Sequence, residues 1–196
     1  MHPTTTAPVA TPLRRGVTAR EYFALPADFP RCELIEGELW MAPAPFMLHQ
    51  LVLQALYDLL RAHARRTRCG VVFVAPVDVR FSDGTVLQPD IVFVSKGRLP
   101  KDDLEKPIRV VPDLCVEVVS GDSASRDLVR KRRIYERHGV AEYWVVDPRE
   151  HLFAFYRLRD ARYEEVRPRA ARYRSEAVPR FTLPLRPFWR EALTVP

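Results

Sequence analysis

Gln88-Pro89-Asp90-Ile91-Val92-Phe93-Val94, followed by Pro112-Asp113-Leu114-Cys115-Val116-Glu117-Val118-Val119-Ser120 and then by a segment carrying Asp127, Lys131 and Tyr135, decides how the chain is read. The first two pieces are runs of β-branched and aromatic residues bounded by Pro, Gly or Ser, which predicts two short buried strands. Each holds one carboxylate. Glu117 lies in the middle of Leu-Cys-Val-Glu-Val-Val, where an unpaired charge costs several kcal/mol or stays protonated. A cation on a neighbouring element, or a metal ion, has to compensate it.

Working outward, the spacing predicts a helix from about Ser123 to His138, stopped by Gly139. Beyond it Glu142-Tyr143-Trp144-Val145-Val146-Asp147 and His151-Leu152-Phe153-Ala154-Phe155-Tyr156 read as paired strands. On the other side, Val71 to Ala75 and Val77, Val79 and Phe81 read as strand, bulge and alternating strand, turned by Ser82-Asp83-Gly84 into Asp90–Val94. From Phe46 to about Arg66, Leu48, Leu51, Val52, Ala55, Leu56, Leu59 and Leu60 recur at helical spacing. Cys32 to Met41 reads as a hairpin turned at Gly37, and Thr18-Ala19-Arg20-Glu21 as a capping box opening a short helix. Residues 1–16 read as a disordered arm, 17–196 as one domain, and Pro100–Pro112 as a charged loop. Past Arg157 the chain is Arg- and Pro-rich, with weak short strands and a Pro187-Phe188-Trp189 patch. Helices alternating with strands predict an α/β sandwich around a mixed central sheet. Seven glycines and no Gly-rich phosphate loop argue against a nucleotide-binding fold.

The 196 residues, 47% of them hydrophobic, suffice for one core. A net charge of +6 and a pI near 9.5 favour an anionic partner such as nucleic acid or an acidic substrate. Three cysteines without a Cys-x-x-Cys pair suggest neither a disulfide framework nor a structural zinc site, and point to a reducing cytoplasm. No run approaches the ~20 apolar residues of a membrane helix.

On the Ser123–His138 helix, at roughly 100° per residue, Asp127, Leu128, Lys131, Ile134, Tyr135 and His138 share one face, whereas Arg126, Arg130, Arg133 and Arg137 form a basic stripe elsewhere. Only Lys96, Lys101, Lys106 and Lys131 are lysines, so a lysine turned inward among arginines marks a place for a compact charge. The plain alternative is an Asp127–Lys131 pair at i, i+4. Were the two buried strands neighbours, Asp90 and Glu117 would converge on one divalent cation, and Mg²⁺ needs only one or two carboxylates plus water and phosphate oxygens.

Glu33-Leu34-Ile35-Glu36-Gly37-Glu38-Leu39, Pro43-Ala44-Pro45 with His49, Gln88-Pro89-Asp90-Ile91, Glu117-Val118-Val119-Ser120, Asp127 with Lys131 and Tyr135, and Gly139 to Asp147 occur in this order, and together they resemble the Uma-two family. These are proposed endonucleases of the PD-(D/E)XK superfamily, long catalogued as a domain of unknown function. The resemblance covers roughly residues 18 to 190. It implies an α/β fold with a restriction-endonuclease-like mixed central β-sheet flanked by helices, with additional β-hairpins. It also implies that Asp90 and Glu117 are metal ligands for Mg²⁺ or Mn²⁺, with the Val118 carbonyl as a third. The superfamily lysine belongs two residues after Glu117, where this chain has Val119, and Lys131 is the natural substitute. Glu38 resembles the family's early acid, completing the metal shell or orienting Lys131. His49, Asp127, Tyr135 and Gln88 are expected around these groups or on the substrate, with helix capping as the plain reading of His49 and core packing that of Tyr135.

The function so implied is hydrolysis of DNA phosphodiesters, with double-stranded DNA as partner; the apolar strands and the Phe188-Trp189 end point to a homodimer, which suits double-strand cleavage. A non-cleaving nucleic-acid-binding or regulatory module on the same fold is the alternative, and an enzyme acting on another phosphodiester or nucleotide a third.

Overall fold

The computed structural model describes residues 11–42, 44–99, 104–120 and 124–194, with the backbone only for 124–127. In chain order these form β1 (Arg14–Arg15), α1 (Ala19–Phe23), β2 (Cys32–Ile35), β3 (Glu38–Met41), α2 (Met47–Thr67), β4 (Gly70–Val74), β5 (Val79–Ser82), β6 (Thr85–Leu87), β7 (Ile91–Ser95), β8 (Leu114–Val118), α3 (Ala124–His138), β9 (Glu142–Asp147), β10 (Leu152–Arg159), β11 (Arg162–Glu165), β12 (Arg172–Arg174), β13 (Thr182–Pro184) and α4 (Leu185–Ala192). Two sheets dominate. The central one has the order β11-β10-β9-β8-β7-β4, and a second has the order β1-β3-β2-β6-β5. Within the central sheet β8 and β9 are parallel, joined through α3 as parallel neighbours require, and the other pairs are antiparallel.

Strand alternation sends the two sides of the central sheet to different partners. Ile91, Phe93, Leu114, Val116, Trp144 and Val146 meet Val52, Leu56 and Leu60 of α2, on which α4 packs, and Tyr173 of the β12–β13 hairpin joins the same core against Trp144 and Phe155. Cys115 and Tyr143 face the other way, onto Ile134 and Tyr135 of α3 and onto Ile35 and Leu87 of the second sheet. Glu117 shares the Cys115 side.

Local chemistry explains the element ends. The β2–β3 turn holds Glu36 and Gly37 at φ 53° and 83°, the two positive angles of a tight hairpin turn. Gly139, at φ 82°, closes α3, with the Val140 N–H donating to the Tyr135 carbonyl and the Gly139 N–H to that of Glu136. Thr18 and Glu21 cap α1 reciprocally.

Three expectations change. Of residues 1–16, read as a disordered arm, 1–10 lie outside the described residues, and Arg14–Arg15 pair with β3. The Ser82-Asp83-Gly84 turn does not lead straight into β7. It first gives β6, which stays with β5 in the second sheet, and the chain crosses to the central sheet at Gln88-Pro89-Asp90, where Pro89 cannot continue a ladder. The Pro187-Phe188-Trp189 patch lies in helix α4, because Pro187 occupies the first turn, where its missing N–H removes no helical bond. Part of the charged loop, residues 100–103, lies outside the described residues, while Ile108 within it is buried and bridges to Val79.

Candidate active site

The crossover decides where the acids meet. Ile91 stands opposite Val116 at the last pair of the antiparallel ladder, so Asp90, just before β7, comes to the end of β8 that carries Glu117 and Val118. The Val118 N–H donates to Asp90 Oδ2 at 2.7 Å, fixing that carboxylate against the end of β8. On its second side the same oxygen is 3.2 Å from His49 Nε2. His49 lies in the first turn of α2 but does not cap it; it is buried, and its Nδ1 has no hydrogen-bond partner among the described residues.

α3 supplies the compensating charge. Lys131 and Tyr135 are one turn apart and share a face. Tyr135 donates its hydroxyl to Glu117 Oε1 at 2.6 Å, and Lys131 Nζ lies 3.2 Å from each Glu117 oxygen. Lys131 also pairs with Glu33 of β2 at 2.9 Å, and the Gln88 backbone N–H donates to the other Glu33 oxygen at 2.7 Å. Glu33, Glu117 and Lys131 are all buried, at 7%, 6% and 5% exposure, so these charges answer one another rather than water.

Burial pushes the Glu117 carboxyl up to about 8; Lys131 opposes the rise, and the charges of Asp90 and Glu33 add to it. Burial, then Glu117, raises the Tyr135 phenol. Lys131 is thus shared between two buried carboxyl groups, Glu33 and Glu117, and the charge of Asp90 acts on Glu117 from the sheet end.

Not every expected residue joins this group. Glu38 does not touch Lys131. It sits opposite Ile35, two pairs along the hairpin from Glu33, and binds Arg15 at 3.1 Å and Arg130 at 3.2 Å. Gln88 contributes its backbone, while its side chain turns to Arg31, Asp78 and Tyr22. The Asp127 side chain lies outside the described residues. Arg130 and Arg137 of the basic stripe reach across to Glu36 and Glu38 of the β2–β3 hairpin and bolt α3 to it. The acid that the sequence reading passed over is Glu33. Its signal was the one used for Glu117, a carboxylate within a strand whose four residues are all buried.

Among the described residues no group of three or more His, Cys, Asp or Glu side chains is arranged to hold a metal ion. The donor chemistry nevertheless fits a hydrated hard dication: the Asp90 carboxylate is held at the end of β8 by the Val118 N–H, close enough for its charge to act on Glu117, and one or two carboxylates with water suffice for such an ion.

Residues 19–186 match the family Uma2, described as "Putative restriction endonuclease". This chain belongs to the Uma2 family. No curated protein matches its sequence. A crystal structure from Anabaena variabilis, described as "a putative nuclease belonging to DUF820", resembles this Uma2 protein with a TM-score of 0.76 at 22% identity, over 90% of this chain and 99% of that one. The Uma2 chain therefore has the restriction-endonuclease-like α/β fold, a mixed central sheet flanked by helices with additional hairpins.

Proposed function

We propose that this chain is a metal-dependent endonuclease hydrolysing DNA phosphodiesters, and the reading rests on one observation: Lys131 on a helix contacts Glu117 on the strand whose end also holds the Asp90 carboxylate. Asp90 and Glu117, with the Val118 carbonyl, would hold Mg²⁺ or Mn²⁺. When bound, such an ion polarises the phosphate and lowers the pKa of an attacking water. Lys131 stabilises the charge growing on the phosphate, a role for which Val119 leaves the strand without a candidate. Tyr135 and His49 hold the two carboxylates in place. The +6 net charge suits a polyanionic substrate, and a homodimer suits cutting both strands; sedimentation velocity tests the latter.

Nicking of supercoiled plasmid with Mg²⁺ or Mn²⁺ tests the reading. The intact chain produces open circles, and Asp90→Asn and Lys131→Met each slow this by about 10²-fold or more. The burial of Lys131 and Glu117 favours a second reading, a binding or regulatory module whose site stays closed. DNA binding with no nicking in either metal selects that module.

A further inference from the structure

We infer that Glu33 is the positioning residue for Lys131, and that Gln88 ties this position to Asp90. The inference rests on the endonuclease reading for its catalytic consequence, though not for the contact itself. A lysine facing Glu117 alone would settle on it and neutralise the carboxylate needed elsewhere. Here the ammonium is shared, and the shorter contact, 2.9 Å, is to Glu33, against 3.2 Å to Glu117. Glu33 is itself held, since its second oxygen accepts the Gln88 N–H at 2.7 Å. Gln88 is fixed through its side chain: Oε1 accepts from Arg31 Nε at 2.8 Å, and Nε2 donates to Asp78 at 3.0 Å and to the Tyr22 hydroxyl at 3.3 Å. Two residues further on stands Asp90. One short crossover therefore sets both the acid that draws Lys131 and the carboxylate at the sheet end. Glu38 cannot take this part, because Arg15 and Arg130 occupy it. Glu33 acts through Lys131, so removing it should leave substrate and metal affinity alone and slow turnover.

The test uses the full chain. With only four lysines, the Lys131 Cε–Hε NMR signal of the metal-free protein is identified by its loss in Lys131→Met. Glu33→Gln moves that signal strongly, Gln88→Ala moves it in the same sense, and Glu38→Gln moves it least. In nicking, Glu33→Gln lowers kcat by about 10–100-fold, the range for groups that orient a site. Its DNA Kd and Mn²⁺ affinity stay within about twofold of the intact chain, and it adds no further loss on a Lys131→Met background. Glu33→Asp, one methylene short, gives a smaller loss and serves if Glu33→Gln folds poorly. An unmoved Lys131 signal overturns the inference. So does a fall in Mn²⁺ affinity as large as that of Asp90→Asn, which would make Glu33 a ligand, or losses from Glu33→Gln and Lys131→Met that multiply. If the intact chain does not nick, the proposed function falls, and the NMR comparison still decides whether Glu33 sets Lys131.

Discussion

Glu117 and Glu142 are both acids buried in the central sheet, and their partners separate them. Glu142, 1% exposed, accepts from Trp144 Nε1, Ser175 Oγ, the Glu176 N–H and Arg157 Nε, all within 3.1 Å. That set anchors the C-terminal segment to β9 and leaves little capacity for anything else. Glu117 has two side-chain donors and two neighbouring carboxylates that resist its ionisation, the condition of a group placed for more than packing. Tyr135 is fully buried, so Tyr135→Phe removes one of those donors without opening the core. We expect a loss of roughly 1–3 kcal/mol in urea unfolding, the cost of leaving a buried acceptor short; no loss would mean that water replaces the hydroxyl. The contact of Lys131 with Glu117 was readable in the sequence because a charge inside an apolar strand, or on the inward face of a helix, announces that it needs a partner, whereas the place of Asp90 depended on which strands are neighbours. Choosing among Glu33, Glu36 and Glu38 was not, since three acids within six residues differ only in hairpin register, and register emerges when Ile35 rather than Glu33 stands opposite Glu38.

At the level of elements, α2 was legible because its apolar repeat runs for many turns, while the short strands were not. β6 has three residues and could be assigned to either sheet until Pro89 was seen to break the ladder. α4 was hidden because a proline argues against helix everywhere except the first turn. Close approach fixes Gly70 at the start of β4. A Cβ there would lie 2.4 Å from the Val94 carbonyl oxygen and 2.6 Å from the Phe93 ring. Gly70→Ala should therefore destabilise by about 1–3 kcal/mol, measured by denaturant titration. The joint between the hairpin and α3 should show in pH dependence. The hydrogen bond from Arg137, aided by the charges of Arg137 and Arg130, holds Glu36 below its usual 4.5. A carboxyl lowered in the folded state lends stability above its unfolded pKa and loses it as pH falls through the folded one. The Tm of the intact chain should exceed that of Glu36→Gln at pH 7 by a small margin, as for exposed pairs, and the gap should close below pH 4.5. A gap that persists in acid would assign the effect to the turn, where Glu36 takes a positive φ.

Across the whole molecule the positive charge is unevenly answered. On the α3 side Arg15, Arg130 and Arg137 are matched by Glu36 and Glu38. On the α2 side Arg65, Arg66 and Arg68 are exposed and make no ion pair among the described residues. Exposed Arg180, Arg186 and Arg190 follow in the segment whose helix, α4, packs against α2. Sixteen residues separate His49 from Arg65, about 24 Å along a helix rising ~1.5 Å per residue. A duplex lying along α2 would cover that distance in roughly seven base pairs at about 3.4 Å each. If the protein binds DNA in this way, each arginine on a phosphate contributes about 0.9 to the slope of log K against log salt. The triple variant Arg65→Gln/Arg66→Gln/Arg68→Gln should flatten that slope by up to roughly 2.7 in fluorescence anisotropy titrations across salt concentrations, weakening binding at low salt far more than at high salt. An unchanged slope would make this basic end a solvated surface and move the duplex elsewhere. The arginines lie a helix length from His49, so nicking at saturating DNA should persist in the triple variant even as its affinity falls.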